Sequence, residues 1–293
     1  MVLNLQRFHF LMMRILNNMR IDLHNHSNNS DGLLSVKELL DLAKEKKVDV
    51  MGLTDHDSVF GVDEAYAYGK EIGVKVLKGM ELSTFYKGQT VHIVCYFRHN
   101  IIPSELYDFS KNIVNTRLER AHKMINNIKD YYKINIDEDI LFKNSTIITR
   151  GNMYQCILKS NPGIEHEYAH QMVSDNSPCY IPASKMSTEE GLRFLNELNA
   201  FKILAHPTLI KREYLDEILD LGFDAIEAIY PKNKENEEQY FKDTARKRGM
   251  LISAGSDFHG DDKHAMIGTS TINYDDFRLI KDKLDLGDEF DEN

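Results

Sequence analysis

The sequence predicts an α/β protein in which a barrel of parallel strands is interrupted by a helical insertion. Short apolar runs alternate with helical periods through most of the 293 residues, the pattern of strand–helix–strand units that build a parallel sheet. About seven such strands in one chain suit closure into a barrel better than a small open sheet. A third observation concerns function: imidazoles and carboxylates recur where the apolar runs end.

In chain order, "IDLH" precedes the amphipathic "SVKELLDLAKEKKV", "VMGLTDH" precedes "GVDEAYAYGKEIG", and "VKVLKGMEL" is followed by "QTVHIVCYF". Between residues 101 and 185 the rhythm changes to long helical patterns such as "LYDFSKNIVNTRLERAHKMINNIKDYY" and "RGNMYQCILKSN", which read as a helical insertion into the barrel. The alternation resumes with "FKILAHP", "FDAIEAIYP" and "MLISAGSDFHG", separated by helical "EYLDEILDLG" and "KENEEQYFKDTARKRG". The barrel is therefore expected over 19–100 and 186–275. An acidic C-terminal tail is expected over 276–293, its end "DKLDLGDEFDEN" frayed. Residues 1–18 read as a short amphipathic leader, or as sequence upstream of a true start at Met19, because Arg7, His9 and Arg14 interrupt their apolar run.

Composition excludes several classes. A formal charge of −10 opposes a large nucleic-acid or anionic-membrane surface, which needs a basic field. No apolar run approaches the ~20 residues that span a bilayer. Cys95, Cys156 and Cys179 lie far apart without a CxxC spacing, so neither a disulfide framework nor a thiolate zinc site is expected, and a cytoplasmic setting fits. The insertion escapes the general acidity, its ten basic residues matching its ten acidic ones.

The predicted strand ends carry the chemistry. The first ends in His24 and His26, two residues apart and so on one face, with Asp31 in the adjoining loop. The second ends in Asp55, His56 and Asp57, and the third in Glu81. The fourth carries His92 within it, the fifth ends in His206 before Pro207, and the seventh ends in Asp257 and His259. Apart from His92, these positions lie at the carboxyl ends of strands, where (β/α) barrels gather catalytic groups. Taken singly each has a plainer reading: His92 as a satisfied core histidine, His206 as a strand cap, Asp257 as a helix N-cap. Their joint placement on successive strands argues instead for metal, since buried carboxylates need a positive partner. Imidazole and carboxylate ligands without thiolate favour manganese, zinc or iron over calcium or magnesium. His9, His99, His122, His166, His170 and His264 fall outside the pattern and are expected on the surface or in packing.

The stretches "DLHNHSNNSDG", "GLTDHDSVFG", "KGMELS", "VHIVCYF", "AHP" and "GSDFHG" resemble, in order and spacing, the motifs of the polymerase and histidinol phosphatase (PHP) superfamily, from about Met19 to Asp275. The insertion, with "TRLERAHKM" and "ITRGN", is similar to that of the branch of nucleotide phosphatases and 5′-to-3′ exoribonucleases, although Gly151 and Asn152 stand where many relatives carry proline and histidine. The resemblance implies a distorted (β/α)7 barrel holding three metal ions. His24, His26, Glu81 and Asp257 would hold one; Glu81 would bridge to a second on His92 and His206; Asp31, His56 and His259 would hold the third. It further implies a metal-dependent phosphoesterase acting on 3′,5′-bisphosphonucleotides or nucleoside monophosphates, on the 5′ end of short RNA, or on both.

Divalent metals supply what phosphate-ester hydrolysis needs, hydroxide near neutrality and charge stabilisation at the non-bridging and leaving oxygens. Asp57, His259 or metal-bound water are candidates to protonate the leaving oxygen, and Asp22 and Asp55 are expected to orient histidine ligands. Arg117, Arg120 and Arg150, the only arginines of the insertion, are candidate phosphate clamps because a guanidinium fork meets phosphate bidentately. Arg150 opens a helix, where anions are favoured, whereas Arg117 and Arg120 also suit a solvated helix face. A histidinol-phosphatase-like phosphomonoesterase is the alternative, followed by an amidohydrolase and a non-catalytic PHP module.

Overall fold

The computed structural model describes residues 19–142, 148, 150–174, 176–181 and 186–291. The proposed leader lies outside them. Seven strands form one sheet in sequential order: β1 (Ile21–Asn25), β2 (Val50–Leu53), β3 (Lys75–Tyr86), β4 (Gln89–Tyr96), β5 (Phe201–Leu204), β6 (Ala225–Ile229) and β7 (Leu251–Ala254). The sheet curls into a nearly closed barrel. β1 meets β7 through a parallel bridge between Asn25 and Phe258, with the His26 amide donating to the Phe258 carbonyl and the Asp257 amide to the His24 carbonyl, both at 2.9 Å.

The expected parallel sheet is broken at one place. β4 runs antiparallel to both β3 and β5, because only two residues, Lys87 (φ 43°) and Gly88 (φ 86°), separate β3 from β4. Positive φ at both positions suits a tight hairpin turn, and two residues are far too few for a parallel crossover. The reversal explains why His92 lies inside its strand. On a reversed strand the mouth of the barrel is met near the beginning, not the end.

Helices cover the outside. α1 (Val36–Glu45) starts at a capping box of Ser35 and Glu38 and buries Val36, Leu39, Leu40 and Ala43, one face at helical spacing. α2 (Val62–Ile72) stops at Gly73, whose φ of 85° is the left-handed form that glycine adopts freely. The insertion contributes α3 (Ser104–Tyr132), α4 (Glu138–Phe142), α5 (Arg150–Ser160) and α6 (His166–Val173). Its apolar residues form their own cluster, with Ile125, Ile128, Met153, Ile157 and Met172 at the centre. The first turns of α3 belong to the barrel: Leu106 packs in its core, and Ser110 accepts a hydrogen bond from the Val59 amide. Then follow α7 (Thr188–Glu197), α8 (Arg212–Leu219), α9 (Glu237–Arg248) and α10 (Tyr274–Leu284).

A second apolar cluster joins alternate strand residues, including Leu23, Leu77, Val94 and Ile203, to Phe277, Ile280 and Leu284 of α10. The expectation of a frayed tail therefore fails. Although acidic, the segment carries an apolar stripe at helical spacing, and Phe290 beyond it is only 1% exposed. Lys281 and the Tyr274 hydroxyl both bond to Asp291, each at 2.6 Å, tying the end of the described chain back.

Inside the barrel Tyr96 is fully buried, and its hydroxyl donates to the Leu23 carbonyl. It fits because Gly52 faces it. A Cβ at Gly52 would lie 2.1 Å from the Tyr96 hydroxyl and 2.9 Å from Leu23 backbone. Gly52→Ala is expected to destabilise the protein by about 1–3 kcal/mol, the usual cost of overpacking, measured by urea unfolding. An unchanged midpoint would show that this packing tolerates a methyl group.

Candidate metal centre

Each mouth residue is delivered by the end of a strand or the loop that follows it. His24 lies on β1, with His26 just after it, and both are fully buried; Asp31 comes from the loop before α1. His56 is held beside Glu81 of β3 by a backbone bridge. His92 comes from β4, His206 from just beyond β5, and Asp257 and His259 from the loop after β7.

Glu81 is completely buried and forms the hub. Its Oε2 lies 3.2 Å from His24 Nε2, 3.2 Å from His26 Nε2 and 3.0 Å from His56 Nδ1. Its Oε1 lies 3.0 Å from both His92 Nδ1 and His206 Nε2. Asp257 Oδ1 adds contacts of 3.6 Å to His24 Nε2 and 3.3 Å to His26 Nε2. Asp31 faces His259 at 3.2 Å and His56 at 3.8 Å.

Four overlapping groups of potential ligands result: His24, His26, Glu81 and Asp257; His56, Glu81 and His92; His26, Asp31, His56 and His259; and Asp257, His259 and His264. Their chemistry fits metal. Six buried atoms, His24 Nε2, His26 Nδ1 and Nε2, Asp31 Oδ1, His56 Nδ1 and Glu81 Oε2, have no hydrogen-bond partner among the described residues. They stand close together yet are not aligned as donor and acceptor. Ligand atoms each about 2.1 Å from one ion, at tetrahedral or octahedral angles, lie about 3.0–3.4 Å from each other, close to the separations around Glu81.

The polar residues behind the cluster hold its shape. Asp55 accepts from the Ser27 amide at 2.8 Å and from the Ser27 and Ser30 hydroxyls at 2.7 and 2.6 Å, bracing the loop between His26 and Asp31. Asp22 accepts from the Ser256 and Gly268 amides at 2.9 and 2.7 Å, fixing the loop that carries Asp257. Both therefore serve loops, whereas the sequence reading had them orienting histidine rings. Burial pushes the pKa of Asp22 and of Asp55 up, against these hydrogen bonds. Asp57, His206 and Asp257 have positive φ of 53°, 29° and 50°. Non-glycine residues held so cost on the order of 1–2 kcal/mol each, and such strain gathers at functional sites.

The sequence reading missed three contributors. Glu227 of β6 sits behind His24 and His206, the Tyr230 hydroxyl donates to Asp257 Oδ2 at 3.0 Å, and His264 stacks on His259 at 4.0 Å. His264, expected on the surface or in packing, packs against a candidate ligand. Asp261 holds its Nδ1 at 2.7 Å, and near-parallel rings send their in-plane lone pairs side by side, which disfavours a shared ion with His259. A signal for Glu227 did exist: it is the only charged residue of the apolar run "AIEAI".

The predicted arginines gather on the insertion side. Arg117 forms an ion pair with Asp57, which also accepts from the Ser83 amide at 2.7 Å, while the Asp57 amide donates to the Glu81 carbonyl at 2.9 Å. Arg120 and Arg150 lie over the Tyr180 ring at 5.5 and 5.6 Å. Burial lowers the pKa of Arg120, and the nearby Arg150 and Arg117 charges lower it further, against a raising effect of Tyr180.

The sequence also matches the model of the PHP domain over residues 22–182, more than half of its length. The chain belongs to the PHP domain family. Among curated proteins, a 3′,5′-nucleoside bisphosphate phosphatase of Chromobacterium violaceum is 29% identical over 251 residues, 82% of this chain and 87% of that protein. A 5′-3′ exoribonuclease of Haemophilus influenzae is 26% identical over 259 residues, 82% and 90% of the two chains. A solved Bifidobacterium adolescentis protein, assigned as a metal-dependent phosphoesterase, superposes with a TM-score of 0.75 at 23% identity, over 91% of this chain and 96% of that one; it shows the shared fold. With its buried histidine–carboxylate cluster, this PHP chain is a metal-dependent phosphoesterase.

Protons compete for the PHP cluster. Burial alone would depress the histidines, but Glu81 and Asp31 push His56 up to about 10, and carboxylates raise His24 and His26 also. Burial would likewise raise the carboxylates, yet the histidines hold Glu81 and Asp257 well below the usual range. Rings with raised pKa carry protons at neutral pH and must lose them to bind a cation, so acid opposes metal. Apparent manganese affinity is expected to rise between pH 6 and 8, roughly tenfold per unit for each proton displaced, with calorimetry in two buffers counting the protons released. Affinity independent of pH would contradict this charge distribution.

Proposed function

We propose that the protein hydrolyses phosphate esters of nucleotides, either 3′,5′-bisphosphonucleotides and nucleoside monophosphates or the 5′ end of short RNA, with three divalent ions of manganese, zinc or iron. His24, His26, Glu81 and Asp257 would hold the first ion, Glu81, His92 and His206 the second, and Asp31, His56 and His259 the third. When bound, such ions make hydroxide available near neutrality and stabilise charge on the phosphoryl oxygens. Glu81 contributes most to that assembly, since its two oxygens face different histidine sets.

The observation that carries the nucleotide reading is the arginine cluster. In a chain of net charge −10, three guanidiniums gathered on one side of the mouth, Arg120 and Arg150 both over the Tyr180 ring and Arg117 paired with Asp57, mark a place for a doubly charged anion. Arg117 reaches the rim through Asp57, and Arg150 opens α5, where the amide ends of the helix favour phosphate. A substrate held there by one phosphate can present a second to the cluster. The bisphosphate phosphatase and the exoribonuclease named above support this reading, because both act on molecules carrying more than one phosphate. Asp57, tied to Arg117 and to the Ser83 amide, is then a positioning carboxylate linking the arginines to the mouth.

Manganese-loaded protein should release phosphate from adenosine 3′,5′-bisphosphate or mononucleotides from a short 5′-phosphorylated RNA, and Asp257→Ala should abolish either activity. Arg150→Ala is expected to raise KM for the bisphosphate about tenfold, the loss of one charge-assisted bond. An unchanged KM would remove Arg150 from the site. Activity on neither substrate, with turnover of histidinol phosphate, would overturn the nucleotide reading.

A further inference from the structure

Glu227 touches none of the space into which the cluster converges, yet it is 1% exposed and carries two hydrogen bonds to two separate ligand candidates. Its Oε1 lies 2.9 Å from His24 Nδ1. A carboxylate there keeps the proton on Nδ1, so that the proton a cation displaces is the one on Nε2, and it is the Nε2 lone pair, facing Glu81 and Asp257, that is offered to the ion. Its Oε2 accepts the His206 backbone amide at 2.7 Å. His206 holds the unusual backbone angles φ 29° and ψ 62°, and this bond fixes the one conformation that turns its Nε2 onto the other oxygen of Glu81. Room for the arrangement is built in, because a Cβ at Gly255 would lie 2.5 Å from Glu227 Oε1 and 2.1 Å from His24 Cβ.

We propose that Glu227 is a positioning residue shared by two of the three ion sites: one oxygen sets the tautomer of His24 for the first, the other sets the backbone of His206 for the second. The third group, Asp31, His56 and His259, receives no contact from it. The inference rests on the metal reading above, and it predicts a pattern that general loss of structure would not produce.

Glu227→Ala is tested by manganese titration with calorimetry and by counting bound metal after dialysis, beside the wild type. The expected result is weakening of two ions by at least about tenfold, as for other residues that orient metal-bound histidines, with one ion retained at its original affinity. Glu227→Gln should not rescue, since an amide can accept from only one of the two donors and turns its own N–H on the other. Retention of every ion, loss of only one, or rescue by glutamine would each overturn the proposal. A wild-type protein that binds no divalent ion would instead remove the metal reading itself. Should neither variant fold, the tautomer is read in the wild-type holoprotein by long-range nitrogen–proton correlation of labelled histidine. An Nδ1–H signal for His24 is expected, and an Nε2–H signal would overturn the assignment.

Discussion

Everything at the mouth of this barrel answers to one buried carboxylate. Glu81 is shut off from solvent, with five histidine nitrogens at 3.0–3.2 Å from its two oxygens. A charge so placed is stable only among positive partners, because its desolvation costs several kcal/mol. The carboxylates in turn raise the pKa of His24, His26 and His56, so that protons there compete with a cation for the same place.

The hairpin formed by β3 and β4 is the device that makes the centre dense. In an all-parallel barrel each strand would bring its last residues to the mouth and then turn away into a helix. Here β3 continues past Glu81 as far as Tyr86, turns back over two residues, and returns His92 opposite Ser83, two residues from Glu81, one strand further on. Two adjacent strands therefore face the mouth with no helix between them. The insertion leaves from the far end of β4 through α3, which climbs back along the barrel so that Arg117 reaches Asp57.

Much of this was legible in the sequence. All seven strands were expected where they lie, because their apolar runs are short and bounded by turns, and the nine expected metal residues stand in one cluster because strand ends converge by construction. The rest depended on information a linear pattern does not carry. The direction of β4 follows from a two-residue connection, and the order of the apolar runs by itself does not reveal it. The acidic tail looked solvated because charge was weighed above the stripe of Phe277, Ile280 and Leu284. Glu227, Tyr230 and His264 act through other side chains, so their roles depend on distances between strands far apart in sequence. Asp22 and Asp55 were expected to orient histidine ligands, but what they support is the neighbouring backbone.

The meeting of β1 and β7 has one more consequence. The two amide bonds that close the barrel there belong to His26 and Asp257, with His24 offering the accepting carbonyl. The seam of the barrel and the floor of its reactive centre are thus the same few atoms. A fluctuation that parts these strands must also draw Asp257 away from the two histidines it faces, so opening of the seam and loosening of the centre are one and the same motion.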